Sequence, residues 1–340
     1  MSQGVLFSSD YIDEIKCLPT GGDDSNTWDA GVFPLSPPKY SEAITAFNDL
    51  KNLQAEDIIK KGEWFSRSNI KKQLPLYFGI DRTGSKASDY FHWSSRMACD
   101  SLNSPSPVRS WYDRKIKKSV MGSKFFAESP KTALALRKYI PAQFRPSAAL
   151  AIYKYFGAEK VYDPCGGWGD RLAAAMAAGV EYHCRDVNPL VFTGYCQQEQ
   201  ELPHIAPVSF EMRGSEVDAP TENYFDLVFT SPPYWKIEKY QGDDQSFKKY
   251  KKVDEWINGF LIPMLENSLE SLKSGGIMAI NISDVYANHT VNELCAPVID
   301  YMSANMEFLG VAGYQMAKRP NSKSQALGVY CEPIVIGKKN

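Results

Sequence analysis

The chain has 340 residues, of which 44% are hydrophobic and 23% are charged, and its formal net charge is −2. These values are typical of a folded protein with a sizeable core, and they exclude general disorder. Because this length exceeds what a single core usually organises, we expect a main domain with a smaller appended region. The nearly neutral net charge does not by itself indicate a nucleic-acid partner.

Two further classes of protein are disfavoured by the sequence. No stretch approaches the roughly 20 apolar residues that cross a bilayer, and the start MSQGVLFSSDYIDEIK lacks the basic and apolar runs of a secretory signal. We therefore expect a cytoplasmic protein that contacts no membrane. The seven cysteines stand singly, without a Cys-x-x-Cys pair, and the four histidines show no ligand spacing. The sequence therefore predicts neither a disulfide framework nor a metal site.

The first 145 residues change character along their length. Residues 1–60 are rich in acidic and turn-forming residues, with one helix expected near 41–61. Between 109 and 145 cations alternate with aromatic residues, a combination that suits a phosphate backbone and extruded bases. A solvated helix face explains the same pattern equally well. We predict nucleic-acid contacts for four residues of this segment: Lys115, Lys117, Lys118 and Lys124.

From about residue 146 onward, predicted helices alternate with predicted strands. Helices are expected at 146–157, 170–179 and 254–272, where proline or glycine marks several boundaries. The predicted strands are 160–163, 181–186, 208–212, 225–230, 276–282, 306–314 and 329–336. This alternation predicts βαβ units and an open, largely parallel sheet.

A glycine-rich turn follows the first of these strands, in Val161-Tyr-Asp-Pro-Cys-Gly-Gly-Trp-Gly-Asp170. In an open α/β sheet a ligand lies outside the carboxyl end of such a strand. Gly167 and Gly169 let the backbone approach it closely. The next strand ends in Asp186, at the spacing where a carboxylate accepts hydrogen bonds from ribose hydroxyls. Together these features predict an adenosine-containing cofactor, while a G-x-G-x-x-G turn for a dinucleotide is missing.

The most specific motif is Ser231-Pro232-Pro233-Tyr234, directly after the strand predicted at 225–230. Two prolines restrict the chain and remove two donors, so carbonyl oxygens are presented rigidly. An aromatic amino group is a weak nucleophile, because its lone pair is delocalised into the ring. If the substrate is a nucleobase with such an amino group, hydrogen bonds from the amino protons to acceptors at Ser231 would favour the nucleophilic form of the nitrogen. Tyr234 would stack on the ring of the base. A surface turn or a ligand for a binding module remains the alternative for this motif alone.

The two motifs resemble those of the amino-methyltransferase branch of the class I S-adenosylmethionine-dependent methyltransferases. That family carries Asp-Pro-Phe-x-Gly-x-Gly and Asp/Asn/Ser-Pro-Pro-aromatic, and the serine form is typical of cytosine-N4 enzymes. The resemblance covers about residues 141–340. It implies an α/β, Rossmann-like, doubly wound and mostly parallel seven-stranded sheet in 141–340, with 1–140 as an N-terminal accessory region for target recognition.

The resemblance also implies roles for individual residues. Ser231, Pro232, Pro233 and Tyr234 would be catalytic. The cofactor S-adenosyl-L-methionine would be bound by Phe144, Arg145, Pro146, Asp163, Pro164, Cys165, Gly166, Gly167, Gly169, Asp186 and Val187. Cys165 stands where the family has phenylalanine, which puts cofactor affinity in doubt. Trp235, Lys248 and Lys249 follow the catalytic motif and are further candidates for nucleic-acid contact.

The expected partner is double-stranded DNA with the target base flipped out of the helix. Adenine N6, or an amino group in RNA or protein, stays open as the target, as does an inactive nucleic-acid binding protein. The serine at position 231 disfavours cytosine-C5 methylation, which needs a cysteine there. A restriction endonuclease partner is compatible with this function, and the sequence indicates no oligomeric state.

Overall fold

The computed structural model describes residues 33–102, 104–137, 140–287, 289–317 and 328–340. Of the predicted accessory region, residues 1–32 therefore lie outside the described part. Among the described helices, none combines the length and apolar character that a bilayer-spanning segment needs.

Short helices dominate the described part of the accessory region. Its elements are α1 (Tyr40–Asn52), α2 (Ala55–Ile58), β1 (Ile59–Lys61), β2 (Gln73–Phe78), α3 (Ser85–Met97), β3 (Asp100–Ser101), α4 (Pro107–Tyr112), α5 (Arg114–Met121) and α6 (Pro130–Arg137). The helix expected near 41–61 ends earlier, because residues 59–61 pair with β2 as a strand.

Helices and strands alternate after residue 145, as predicted. The elements are α7 (Pro146–Tyr155), β4 (Lys160–Asp163), α8 (Asp170–Ala178), β5 (Glu181–Asp186), α9 (Pro189–Glu201), β6 (Val208–Met212), β7 (Phe225–Thr230), β8 (Glu238–Lys239), α10 (Ser246–Lys249), α11 (Val253–Trp256), α12 (Ile262–Ser271), β9 (Leu272–Asn281), β10 (Val285–Ala287), β11 (Thr290–Asn292), α13 (Cys295–Asn305), β12 (Glu307–Gln315) and β13 (Cys331–Lys338).

One predicted helix is interrupted. The segment expected as a single helix from 254 to 272 forms α11, a π-helical turn at Ile257–Leu261, and α12. Pro263 lies at the start of α12, where its missing N–H cannot donate to the preceding turn. A local π-turn accommodates that lost hydrogen bond.

The central sheet has the strand order β1-β2-β12-β13-β9-β7-β4-β5-β6. Strands β6, β5, β4, β7 and β9 run parallel, and β13 is antiparallel to both of its neighbours. The predicted α/β class and mostly parallel sheet are confirmed. The sheet has nine strands rather than seven in the described residues, because β2 pairs in parallel with β12 and β1 extends it further. An edge strand carries unpaired backbone groups, and β2 covers those of β12.

The two faces of this sheet bury separate hydrophobic clusters. One contains Phe47 of α1 together with Leu150 and Leu172, so the accessory region shares a core with the α/β domain. The opposite cluster is built around Trp256 and Leu265. A third, smaller cluster joins helices α3 to α6.

Helix α3 of the accessory region packs directly on the glycine-rich turn. The buried His92 lies with its Nε2 3.1 Å from Gln198 Oε1, and Gln198 Nε2 donates to the Gly169 carbonyl at 2.9 Å. Burial lowers the pKa of His92 to about 4, so its ring is neutral at pH 7. Gly194 of α9 leaves the space for this ring, since a Cβ there would lie 2.5 Å from His92 Cε1.

This packing predicts that Gly194→Ala destabilises the protein. Alanine stabilises a helix by about 1 kcal/mol relative to glycine. Overpacking a core lowers the free energy of unfolding by about 1–3 kcal/mol. We expect a net loss in the free energy of unfolding, measured by urea denaturation. In a His92→Ala background the clash disappears, so the same substitution should be neutral or stabilising. If Gly194→Ala changed the free energy of unfolding equally in wild type and in His92→Ala, the contact with His92 would not be the cause.

Candidate active site

A cleft lies at the carboxyl edge of the sheet, where β4, β5 and β7 end. It encloses about 600 Å³ including its open mouth. The sequence-predicted residues that line it are Pro164, Cys165, Gly167, Asp186, Val187, Ser231 and Pro233. The glycine turn and two residues of the Ser-Pro-Pro-Tyr segment, Ser231 and Pro233, therefore face one cavity, whereas Pro232 and Tyr234 are not among the residues that line it.

Asp163 holds the glycine turn in place without lining the cleft. Its carboxylate is fully buried and accepts hydrogen bonds from Arg171 Nε at 2.6 Å, Tyr182 Oη at 2.5 Å and the Cys165 amide at 3.2 Å. Arg171 also donates to the Cys165 carbonyl. Asp163 can therefore influence cofactor binding only through the glycine turn that it holds.

Gly166 and Gly169 likewise shape the turn from behind the cleft. A Cβ on Gly166 would lie 2.7 Å from Tyr195 Oη, and one on Gly169 would lie 2.5 Å from His92 Nε2. Gly169 also has a φ of +68°, which side-chain-bearing residues rarely adopt. These close approaches explain why the motif needs glycine at both positions.

Asp186 ends β5 at the wall of the cleft. Its Oδ2 accepts from the Gly167 amide at 2.9 Å and its Oδ1 accepts from the Asn188 amide at 2.8 Å. Burial raises the pKa of Asp186 to about 6, partly offset by these two hydrogen bonds. Each carboxylate oxygen keeps a further lone pair for a ligand.

Tyr234 lies on the other side of Ser231, toward β9 and β13. Its hydroxyl is 3.3 Å from Glu332 Oε2 and 3.4 Å from both the carbonyl and the Oδ1 of Asn281. Burial, followed by the charge of Glu332, raises the pKa of Tyr234 well above its usual range, while a hydrogen bond with Ser231 opposes this. Ser231, Tyr234, Asn281 and Glu332 thus form one polar cluster.

Phe144, Arg145 and Pro146 do not line the described cleft. Phe144 stacks on Tyr314 with ring centroids 4.5 Å apart, and the Arg145 guanidinium lies 3.9 Å from the centroid of the same ring. Pro146 begins helix α7 and is buried. Their predicted contact with the cofactor stays a prediction.

The predicted nucleic-acid residues are placed unevenly. Lys115, Lys118 and Lys124 are exposed, whereas Lys117 covers the ring of Trp111 at 4.9 Å. Trp111 itself is only 1% exposed, so this ring packs in the core and presents no stacking surface to solvent.

The candidates after the catalytic motif have partners within the protein. Trp235 is 3% exposed and packs in the hydrophobic cluster around Trp256 and Leu265. Lys248 pairs with Asp243 at 2.9 Å, and Lys249 pairs with Glu216 at 3.2 Å. Their positive charge is therefore partly neutralised in this structure.

Several site residues escaped the sequence analysis. Trp168 and Asn188 line the cleft beside predicted residues, and their positions next to the motifs could have indicated them. Ser215 lies in the loop after β6, where only the strand end marks it. Asn281 and Glu332 reach Tyr234 from β9 and β13, and no motif surrounds either residue.

Comparison with known families supports a methylase relationship for part of the chain. Residues 225–340 match the sequence model of a family described as DNA methylase, which covers N6 and N4 enzymes. The match contains Ser231-Pro232-Pro233-Tyr234 and begins after the glycine turn. No curated protein sequence matches the chain.

Solved structures give distant likenesses. The chain is similar to the N-methyltransferase NodS from Bradyrhizobium japonicum WM9, with 10% identity, a TM-score of 0.38, and coverage of 57% of this chain and 93% of that one. An S-adenosylmethionine-dependent O-methyltransferase from Thermotoga maritima shares 12% identity at a TM-score of 0.39, and the match covers 58% of this chain and 67% of that one. The tRNA (m1A58) methyltransferase TrmI from Aquifex aeolicus shares 14% identity at a TM-score of 0.38, and the match covers 59% of this chain and 71% of that one. The fold assignment rests on the strand order itself.

The raised pKa of Asp186 predicts pH-dependent binding of adenosine-containing ligands. The ionised carboxylate accepts hydrogen bonds from hydroxyls, and protonation removes part of that capacity. Calorimetric titration with S-adenosylhomocysteine should show affinity falling as the pH drops through about 6, approaching ~10-fold per pH unit. Asp186→Asn should bind weakly at every pH and lose this dependence.

A second buried carboxyl provides the control for that titration. Burial raises the pKa of Asp170 to about 7, and Gln143 Nε2 donates to it at 3.0 Å. Asp170→Asn should retain the transition near pH 6 if Asp186 is responsible. A transition that vanishes in Asp170→Asn and persists in Asp186→Asn would refute the assignment.

Proposed function

We propose that the protein transfers a methyl group from S-adenosylmethionine to the exocyclic amino nitrogen of a base in DNA, with cytosine N4 as the target. One observation carries the proposal: Ser231 and Pro233 line the same cleft as Gly167 and Asp186. Donor and acceptor of the methyl group would thus meet at the end of β7.

The cleft residues fit the cofactor chemically. Asp186 would accept hydrogen bonds from the ribose hydroxyls, and Gly167 leaves the backbone of the turn open to close approach. Trp168, Val191 and Phe260 supply apolar surface for an adenine ring. When bound, the cofactor supplies an electrophilic methyl group on a sulfonium, and this chemistry requires no metal.

The Ser-Pro-Pro segment would orient the amino group. The Pro233 carbonyl already accepts from the Trp235 amide at 3.0 Å, so the carbonyls of Ser231 and Pro232 and the Ser231 hydroxyl are the candidate acceptors. Hydrogen bonds from both amino protons to these oxygens would direct the nitrogen lone pair away from the ring and toward the methyl group. Positioning of this kind supplies much of the rate acceleration in a displacement.

DNA is favoured as the substrate, and cytosine as the target base, for separate reasons. DNA is supported by the match of residues 225–340 to the DNA methylase family. Cytosine N4 is favoured by serine at position 231, since the N6 enzymes that this motif resembles usually carry Asp or Asn. The base would have to leave the duplex to reach the cleft. The exposed Lys115, Lys118 and Lys124 are then candidates for backbone contacts.

The product identifies the substrate. Incubation with methyl-labelled cofactor and duplex DNA, followed by digestion to nucleosides, should place the label in N4-methyldeoxycytidine. Ser231→Ala should lower turnover by about 10²-fold, the scale of losing one positioned acceptor or donor, while calorimetric affinity for S-adenosylhomocysteine stays unchanged.

Ser41→Ala is the matched control, because Ser41 is exposed on α1, away from the cleft. It should leave turnover unchanged. Label in N6-methyldeoxyadenosine would show that the target base is adenine instead of cytosine. Label recovered solely in RNA or protein would overturn the DNA assignment, and no transfer at all would favour an inactive binding protein.

A further inference from the structure

We propose that Gln245 recognises the adenine ring of the cofactor, with its side-chain oxygen as the acceptor for the 6-amino group. Gln245 lies beyond both motifs, directly before α10. The inference rests on the proposed function, because it takes S-adenosylmethionine as the ligand of the cleft. It names a residue that would distinguish adenine from other purines, whereas Asp186 would contact only the ribose.

Residues 240–246 supply part of the wall of the cleft. Four of them line it: Tyr240, Asp244, Gln245 and Ser246. Gly242 brings this segment against the turn that follows Asp186. A Cβ on Gly242 would lie 3.2 Å from the Val187 carbonyl oxygen and 2.9 Å from Pro189 Cδ. A base joined to a ribose at Asp186 would lie in this part of the cleft, so the segment is suited to contact the cofactor rather than the target base.

The segment is anchored on both sides of Gln245. Before it, β8 pairs with β3 of the accessory region, and the Leu102 amide donates to the Ile237 carbonyl at 2.9 Å. After it, Trp256 Nε1 donates to Ser246 Oγ at 3.0 Å. These contacts hold the wall in place before a ligand binds. Such preorganisation lowers the cost of ordering the site and favours selective binding.

The side-chain amide of Gln245 has a defined orientation. The residue is 4% exposed, and its Nε2 donates to the Gln241 carbonyl at 2.7 Å. A carbonyl oxygen can only accept a hydrogen bond, so the amide nitrogen has to face it. Rotation of the amide by a half turn would instead bring two oxygen atoms together. Oε1 of Gln245 is therefore a fixed acceptor, and within the described residues it makes no hydrogen bond of its own.

A fixed acceptor distinguishes an amino group from an oxo group. The 6-amino group of adenine donates hydrogen bonds, whereas the 6-oxo group of hypoxanthine accepts them. Hypoxanthine would thus place an oxygen opposite Gln245 Oε1 and leave both atoms without a donor, which is costly in a buried site.

Other polar groups of the cleft are less suited to this discrimination. Ser215 lines the cleft too, but a hydroxyl both donates and accepts and would tolerate either group. The carboxylates of Asp244 and Glu216 are ion-paired with Lys249, at 3.7 Å and 3.2 Å. Gln245 is therefore the residue to which we assign selectivity for the 6-amino group.

A pair of nucleosides tests this role without catalysis. S-adenosylhomocysteine carries the 6-amino group, and S-inosylhomocysteine carries the 6-oxo group in its place. In calorimetric titrations the wild-type protein should bind the adenosyl compound about 10- to 100-fold more tightly, the scale of a mismatched hydrogen-bonding group in a buried site. Gln245→Met keeps the length of the side chain and removes the amide. It should weaken binding of the adenosyl compound by about 10-fold and abolish most of the preference.

Two variants serve as controls for this titration. Gln200→Met changes an exposed glutamine on α9 that does not line the cleft, and it should keep both affinities. Ser215→Ala alters the cleft itself and should keep the ratio of the two affinities. Because the readout is a ratio, a general disturbance of the cleft would weaken both ligands and leave the preference in place.

The outcomes separate this inference from the proposed function. Equal affinities of the wild-type protein for the two compounds, or an undiminished preference in Gln245→Met, would overturn the inference while the proposed function stands. If the preference is present and depends on Gln245 but no methyl group reaches DNA, the inference holds and the proposed function fails. A wild-type protein that binds neither compound would refute both.

Discussion

The site depends on the ion pair and hydrogen bonds that the buried carboxylate of Asp163 makes. It joins the end of β4 to Arg171 of α8, to Tyr182 of β5 and to the amide of Cys165. Breaking such a buried ion pair from one side typically costs about 3–5 kcal/mol, because the remaining charge has no partner. These contacts hold the glycine turn against β4 and β5, and from this turn the Gly167 amide donates to Asp186. The shape of the cleft follows from these contacts.

The site has two halves that meet at Ser231. On one side the ends of β4 and β5 contribute the glycine turn and Asp186, which suit a ribose and a purine. On the other side β9 and β13 contribute Asn281 and Glu332, which surround the hydroxyl of Tyr234 with oxygen acceptors. A parallel sheet brings such residues together because its strands end at the same edge. The antiparallel β13 joins this edge by its first residues.

The accessory region contributes to this arrangement more directly than an appended domain would. Strand β2 continues the central sheet, and α3 places His92 against Gln198 and the backbone of Gly169. The sequence did not indicate either contact, because Pro75 inside β2 disfavours a strand and His92 is isolated in the chain. What the sequence did predict was local: the strand–turn–helix around Gly167 and the strand before Ser231 carry their own glycine and proline signals. Glu332, the burial of Trp235 and the ion pairs of Lys249 depend on contacts between distant segments, and no local pattern encodes them.

A crystal structure of the protein with S-adenosylhomocysteine and a short duplex would test the central claim most directly. The account predicts the ribose hydroxyls at Asp186, the sulfur beside Ser231, and an unstacked base with its amino group on the Ser231 side of the cleft. A ligand bound elsewhere, or a sulfur atom that points away from Ser231, would contradict it.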